Sequence, residues 1–357
     1  MDYEKLKALG FEPIKYSDES IFRFFFQKFR YNKCYSSSWL YITQAARGMG
    51  GLGYYFHYNK NFIVALGYHH EHFVLIHPIG KIPKKFINII KKLCDISGNP
   101  VYLKKVSKEN NEKIKRLIKG TNLQLIRTEK KRKEEEYPWH IDEKNDDDTF
   151  PEIIINIPGI LKIESNLELT NKKIRNIKSK LKHCKRFTSS ISYQPVSKTN
   201  KSEVIEMLKD HFGKDNKNFE AYLNMLEVLS RDQNNENYIH FVAKYKERYI
   251  GFFVAEILDN CSAGLYASIS SRDFKGLGET LHFEIFKRLK KKGIKFINLG
   301  GSEIKSLHDF KKKFTCDKID IYEKNEIPII VLKKKRFLYF MWNWIVTLTS
   351  YIKKHYL

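Results

Sequence analysis

Apolar and polar positions alternate along this chain in two rounds of one rhythm: short strands first, then a helix, then a strand. In the first round Tyr54–Tyr58, Asn61–Leu66 and His72–Ile76 are short runs rich in aromatic and β-branched residues, the pattern of strands. Pro83–Leu93 then switches period. Phe86, Ile89, Ile90 and Leu93 recur at helical spacing with lysines opposite, which predicts an amphipathic helix. Val101–Val106 reads as a strand, Glu112–Lys119 as a helix stopped by Gly120, and Gln124–Arg127 as a last strand.

Residues 129–149 break the rhythm. They are a charge block with almost no core-forming residues except Tyr137 and Trp139, so a boundary is expected in or near it. The second round opens with Lys172–Phe187, a helix with Ile174, Ile177 and Leu181 on one face and a dense basic face. Helices follow at Ser202–His211 and Phe219–Leu229. A meander comes next, Tyr238–Lys244, Tyr249–Leu258 and Ala263–Ser268, with turns at Lys246–Arg248 and Asp259–Ser262. Glu279–Lys292 is a helix stopped by Gly293, Phe296–Leu299 a short buried strand, Leu307–Phe314 a helix and Ile327–Leu332 a strand. The expected class is α/β with mixed sheets. The expected division is an N-terminal unit over 1–135, a C-terminal catalytic unit over 136–332 and a basic, aromatic helix over 333–357. The shared rhythm fits a duplicated fold, although the letters themselves show no repeat.

Composition sharpens this. With 357 residues, 42% hydrophobic and 30% charged, the chain is long enough for two domains and can bury real cores. Lys+Arg 65 against Asp+Glu 41 leaves a net charge of +24, which favours a polyanionic partner: nucleic acid, an anionic membrane face or a phosphorylated substrate. A general compositional bias toward lysine accounts for part of the same excess. Cys34, Cys94, Cys184, Cys261 and Cys316 are odd in number and widely spaced, against a disulfide scaffold or structural zinc and in keeping with a reducing compartment. The first residues lack the basic and apolar regions of a secretory signal, and no run of about 20 apolar residues predicts a membrane span.

Four stretches carry candidate chemistry. Gly48 to Gly53 matches the dinucleotide fingerprint by letters, but the residues from Tyr54 onward read as strand, not helix, so a loop is expected. His69, His70, His72 and His77 cluster, with His70 and His72 expected on one strand face. No further ligand joins them, and no metal site is expected. In Ser270–Leu289, Arg272, Lys275, Gly276 and Gly278 lie between a strand and the start of an amphipathic helix, where backbone N–H groups and the helix dipole suit phosphate oxygens. A plain strand-to-helix turn would use the same residues. Asn298-Leu299-Gly300-Gly301-Ser302-Glu303, then Leu307-His308-Asp309-Phe310-Lys311-Lys312-Lys313-Phe314, ends a strand in two glycines and leads into a short helix with Phe310 and Phe314 one turn apart. Exposed N–H groups there could stabilise an oxyanion during acyl transfer. The alternative is a tight turn feeding a packing helix.

This last stretch resembles the closing motif of the Fem-type aminoacyltransferases and of the phosphatidylglycerol lysyltransferase C-terminal domain family, both built from two tandem GNAT-like acyltransferase domains. His77-Pro78-Ile79-Gly80 before a helix, Glu136-Tyr137-Pro138 at the crossover and the basic helix Lys172–Phe187 fit in order, so the similarity covers most of residues 50–320. The resemblance implies an aminoacyl group moved from aminoacyl-tRNA to a lipid hydroxyl or a peptide amine. The expected reaction centre is Gly300 and Gly301 for the oxyanion, with Glu303 or Asp309 binding the donor's α-amine or relaying a proton and His308 behind them. Arg272, Lys275, Gly276 and Gly278 would hold the donor's phosphates, with Asn298, Lys311 and Lys313 also donor-binding. A cavity is expected to reach this stretch. No cofactor is expected beyond the donor substrate. The stretch from Arg272 to Gly278 is poorer in arginine and glycine than an acetyl-CoA loop, which ranks acyl-CoA second as donor. No run among these residues matches the multispanning domain of the lysyltransferases, so a lipid acceptor is expected to be reached from the surface.

Lys130–Lys133, Lys287–Lys292 and Lys311–Lys313 could contact tRNA phosphates, or be solvated faces. After Lys333-Lys334-Lys335-Arg336, sixteen uncharged residues (337–352) place Phe337, Phe340, Met341, Trp344, Ile345, Leu348 and Ile352 at helical spacing. An interfacial helix on anionic lipid is expected, with Lys334, Arg336, Trp342 and Trp344 at the membrane; a helix docked on the protein is the alternative. The expected setting is cytoplasmic, peripheral to the inner membrane face. Besides the two enzyme readings, a non-catalytic membrane- or RNA-binding module would account for the same charge.

Overall fold

The computed structural model describes residues 3–29, 34–46, 48, 51–129, 152–165, 172–212, 219–232, 235–302, 305–315, 320–322 and 326–334. The first half runs α1 (Tyr3–Ala8), β1 (Glu12–Pro13), α2 (Glu19–Lys28), α3 (Trp39–Ala45), β2 (Tyr54–Tyr58), β3 (Phe62–His69), β4 (His72–Gly80), α4 (Lys85–Ser97), β5 (Val101–Ser107), α5 (Lys108–Ile118) and β6 (Leu123–Glu129). The second runs β7 (Glu152–Asn156), α6 (Ile157–Ser165), α7 (Lys172–Thr188), β8 (Ile191–Gln194), α8 (Lys201–Phe212), α9 (Phe219–Arg231), β9 (Tyr238–Tyr245), β10 (Arg248–Ile257), β11 (Ser262–Ser270), α10 (Leu277–Lys291), β12 (Phe296–Asn298), α11 (Lys305–Lys312), β13 (Asp320–Tyr322) and β14 (Glu326–Lys334).

The expected mixed α/β class holds. Two seven-stranded sheets form, ordered β1-β2-β3-β4-β5-β14-β6 and β13-β7-β12-β11-β10-β9-β8. Each has one parallel pair, β4 with β5 and β11 with β12, the rest being antiparallel. In each, the strand before the crossover helix carries a bulge close to where the parallel partner stops: between Ile76 and Ile79 in β4, and at Tyr266 in β11. The duplication absent from the letters is therefore present in the topology.

The last strand corrects an expectation. Ile327–Leu332 reads as part of the second unit, yet β14 lies in the first sheet between β5 and β6, while β7 fills the matching slot beside β12 in the second. The first sheet thus receives one inner strand from the far end of the chain, whereas the matching slot of the second is filled by the strand that opens its own half. Ile329, Ile330, Val331 and Leu332 are all buried, because an inner strand covered on both faces needs a continuous apolar run, and such a run does not say which sheet it joins. Lys333 and Lys334, expected to flank a terminal helix, are the end of this strand; Lys334 donates to Asp95. Arg336, Trp342 and Trp344 lie outside the described residues.

The cores explain why the sheets stay together. One apolar cluster lies around the α4 side of the first sheet (Phe62, Phe86, Ile90) and a second around α10 of the other (Phe241, Phe253, Phe286). A third lies between them and mixes Phe22, Trp39, Ile63 and Ile76 of the first half with Leu226, Val242, Phe252 and Tyr266 of the second. The stabilisation from burying such surface is non-directional and roughly proportional to its area, so it joins the halves as a core joins layers. Among the described residues no helix is long and apolar enough to cross a membrane.

Local signals behave as their chemistry requires. Ser38 caps α3 by accepting from the Tyr41 N–H, and α4 ends at Gly98 in the left-handed conformation. The glycine-rich stretch precedes strand β2 as expected. A side chain at Gly48 or Gly53 would strike the carbonyl of Tyr68 or Ala46, at 1.9 and 2.3 Å, so these glycines let strands and helix pass closely. The histidines do not share a face: His70 and Glu71 form the β3–β4 turn, His69 bonds the Ala45 carbonyl at 2.7 Å, and His72 lies against Tyr102.

Candidate functional site

The second sheet opens where β12 ends. Beyond Ser262–Gly264, β11 has no β12 partner, yet it continues to Ser270 beside β10. The edge from Leu265 onward therefore borders a wedge, and the turn after Asn298 forms its other wall.

That turn is tightly held. The Asn298 side chain donates to Glu152 (2.8 Å) and accepts from the Gly300 N–H (2.8 Å), while the Gly300 carbonyl accepts from the Ile153 N–H at 3.2 Å. Glu152 and Lys105 are both buried, 3.8 Å apart. Gly300 has φ +68°, where a side chain is strained. These contacts revise two expectations. The Gly300 N–H is spent on Asn298 and is not a free oxyanion donor, and Asn298, 3% exposed, has both amide ends committed inside the protein. Gly301 is half-buried and its carbonyl accepts from Lys311, so Lys311 braces the turn.

The wedge holds a residue the sequence does not single out. Tyr35, from the connector before α3, donates its hydroxyl to the Leu265 carbonyl at 2.9 Å. Its ring lies 4.5 Å from Tyr266, whose hydroxyl donates to the Tyr35 carbonyl at 2.6 Å. A Cβ at Gly300 would sit 3.1 Å from the Tyr35 ring. The same connector enters the other sheet: Ser37 lies 3.1 Å from His77, whose second ring nitrogen is 3.3 Å from the Lys105 carbonyl. Fully buried Glu256 of β10 anchors it, accepting from the Trp39 and Leu40 N–H groups at 2.9 Å and from Arg23 at 2.8 Å. Burial opposes the Arg23 charge most strongly, but Glu256, Tyr238 and Glu19 together outweigh it and hold the guanidinium above its ordinary value.

The glycines before α10 sit as expected at a helix start. Gly276, with φ +84°, is its N-cap without a side-chain cap, and a Cβ there would strike the Lys180 carbonyl of α7 at 2.2 Å. Phe310 packs on Gly278 at 3.4 Å from where a Cβ would lie. Beside this helix end, buried Glu279 meets Lys180 at 2.8 Å and Lys313 at 3.6 Å. Two ammonium groups share one carboxylate. Lys180, hydrogen-bonded to Glu279, is held above the usual lysine value; Lys313, partly buried and next to Lys180, is pushed below it. The site thus keeps a surplus positive charge at the positive end of a helix dipole.

Other candidates disperse. Lys275 is exposed. Arg272 lines a cavity of about 500 Å³ between α8 and the end of β11, with Glu203, Asp210, His211, Arg248 and Tyr249. None of its lining residues comes from Asn298–Phe314, so this is not the cavity expected at that stretch. Asp309 is exposed, 2.5 Å from Lys305, which holds its carboxyl below the usual range; the buried neighbour is His308. Glu303 lies outside the described residues. Lys290 and Lys291 lie in the last turn of α10, where cations suit the helix dipole, and Arg288 there pairs with Glu284 at 2.7 Å. His282 is fully buried among Phe253, Phe310 and Phe314, donates to the Gly278 carbonyl at 2.7 Å, and is pushed by burial down to about 4.

Sequence reasoning missed Tyr35, Lys180 and Glu256. Each acts across a contact more than about ninety residues away in the chain, and no periodicity or motif marks such a partner.

Comparison with known proteins bears on the same residues. A family model described as phosphatidylglycerol lysyltransferase, C-terminal, matches residues 30–320. No curated protein matches in sequence. Among solved structures, a conserved protein of unknown function from Bacteroides thetaiotaomicron VPI-5482 is 11% identical, with a TM-score of 0.61 over 90% of this chain and 98% of that one. FemX is 10% identical, with a TM-score of 0.52 over 93% and 99%. L-PGS from Bacillus licheniformis is 12% identical, with a TM-score of 0.46 over 78% and 82%. The first two share the fold.

Proposed function

This chain belongs to the phosphatidylglycerol lysyltransferase C-terminal family, and on that premise we propose that it is an aminoacyltransferase, moving an aminoacyl group from aminoacyl-tRNA to a lipid hydroxyl or a peptide amine. The observation that carries the reading is the wedge beyond Gly264, with a braced glycine turn on one wall and a cationic helix start nearby.

The donor ester is already activated, so the protein needs chiefly to position it and stabilise charge. The acceptor oxygen or nitrogen adds to the ester carbonyl. The resulting oxyanion is met by the Gly301 N–H, since that of Gly300 is taken. Collapse breaks the bond to the ribose oxygen, and the acceptor's proton ends on the released ribose hydroxyl. Lys311 keeps Gly301 in place, while Lys313, Lys180 and the N-terminus of α10 attract the donor's phosphates, with Arg272 and Lys275 farther out. Glu303 is the nearest acid in sequence for the donor's α-amine. An anionic membrane surface supplies the lipid acceptor in this reading, approached from the protein's exterior.

The test is incubation with a pool of radiolabelled aminoacyl-tRNAs and phosphatidylglycerol vesicles, with cell-wall peptide in a parallel arm. Label in lipid or peptide, lost in Lys313→Ala and weakened by salt, is the expected result. Folded protein that transfers nothing from any aminoacyl-tRNA refutes the reading, and transfer from acyl-CoA would replace it.

A further inference from the structure

Among the described residues the edge of β11 beyond Gly264 has no partner strand, and it is the natural place for an extended chain to add, because such an edge offers a row of backbone donors and acceptors. The Leu265 carbonyl lies just past the last residue paired with β12, and Tyr35 already satisfies it at 2.9 Å. The space over Gly300 is also taken, since the Tyr35 ring would stand only 3.1 Å from a Cβ there. The ring is not loosely placed. Tyr266, fully buried itself, holds the Tyr35 carbonyl, and Glu256 fixes the connector four and five residues further on through the Trp39 and Leu40 N–H groups.

We propose that Tyr35 is a specificity-determining residue, contributed by the first half to the second, that closes the β11 edge to donors with an extended, amide-bearing arm and leaves only the mouth beside Gly301 for the reacting carbonyl. Coenzyme A thioesters are the class refused: their arm carries successive amides that would pair with β11 and need the room Tyr35 occupies. An aminoacyl ester is the class admitted, because its carbonyl and α-amine sit directly on the ribose and need reach no deeper than the mouth. The choice of admitted donor rests on the aminoacyl-transfer reading; the barrier itself does not.

The test is calorimetric titration of the full chain with coenzyme A. Wild type and Tyr35→Phe, which keeps the ring, are expected not to bind. Tyr35→Ala, which removes both ring and hydroxyl, is expected to bind about tenfold or more above the wild-type limit. Coenzyme A binding by wild type at the affinity of Tyr35→Ala overturns the proposal, as does a folded Tyr35→Ala that gains nothing. Should Tyr35→Ala fail to fold, Tyr35→Val, whose side chain stops short of the Leu265 carbonyl, is judged by the same two outcomes. Aminoacyl-tRNA transfer is assayed on the same wild-type preparation. Its failure would remove the proposed activity while the coenzyme A titrations still decided the role of Tyr35.

Discussion

Glu256 offers the sharpest test of how the connector is held. Its side chain is fully buried in β10 and accepts three hydrogen bonds, from the Trp39 and Leu40 N–H groups at 2.9 Å and from Arg23 at 2.8 Å. Glu256→Ala would leave two buried N–H groups at the start of α3 without that acceptor, and Arg23 with Glu19 at 2.7 Å and the Ile257 carbonyl at 3.3 Å. A hydrogen bond to a charged group contributes about 1.5–3 kcal/mol, and breaking a buried ion pair costs about 3–5 kcal/mol. A loss of about 4 kcal/mol is therefore expected, or roughly 5 °C in Tm for a chain of this size. Glu256→Gln keeps one acceptor oxygen and should lose about half as much. Urea and thermal melts read both, and a double-mutant cycle with Arg23→Ala should show coupling above about 1 kcal/mol. A folded Glu256→Ala melting within about 2 °C of wild type would refute the clamp.

Other positions carry expectations of their own. Gly300→Ala places a methyl at φ +68° and against the Tyr35 ring; the backbone strain alone should cost about 1–2 kcal/mol by thermal melt, with transfer activity falling further as Tyr35 is displaced. Truncation after Asn325 removes β14 and its four buried apolar side chains, at about 1.5–3 kcal/mol each, so limited proteolysis should cut the first half rapidly. His240 and His282 fold neutral: burial lowers each from 6.5 to about 4. The unfolded chain binds these protons at higher pH than the folded one, so stability is full above about pH 6.5 and is lost as pH falls toward 4, by about 2 kcal/mol per ring at pH 5. His282→Phe should remove its share of that slope in urea melts; an unchanged slope would count against this origin.

The elements and their class were legible in the order of residues. Leu277, Leu281, Ile285 and Leu289 at helical spacing make α10 wherever it packs, and the apolar run from Phe62 to Leu66 makes a buried strand, because period and burial are local properties of the chain. The glycines at 276, 278 and 300 were legible as places where backbone comes close, and the basic helix α7 as a charged face. Tertiary structure alone decided what approaches them: the Lys180 carbonyl at Gly276, the Phe310 ring at Gly278 and the Tyr35 ring at Gly300. It also decided that β14 joins the first sheet, since a strand buried on both faces is apolar in any sheet. Buried polar groups explain the rest. Asn298, Glu152 and Glu256 must find hydrogen-bond partners inside the protein, and which partners they find depends on contacts between residues distant in the chain, which no local pattern records.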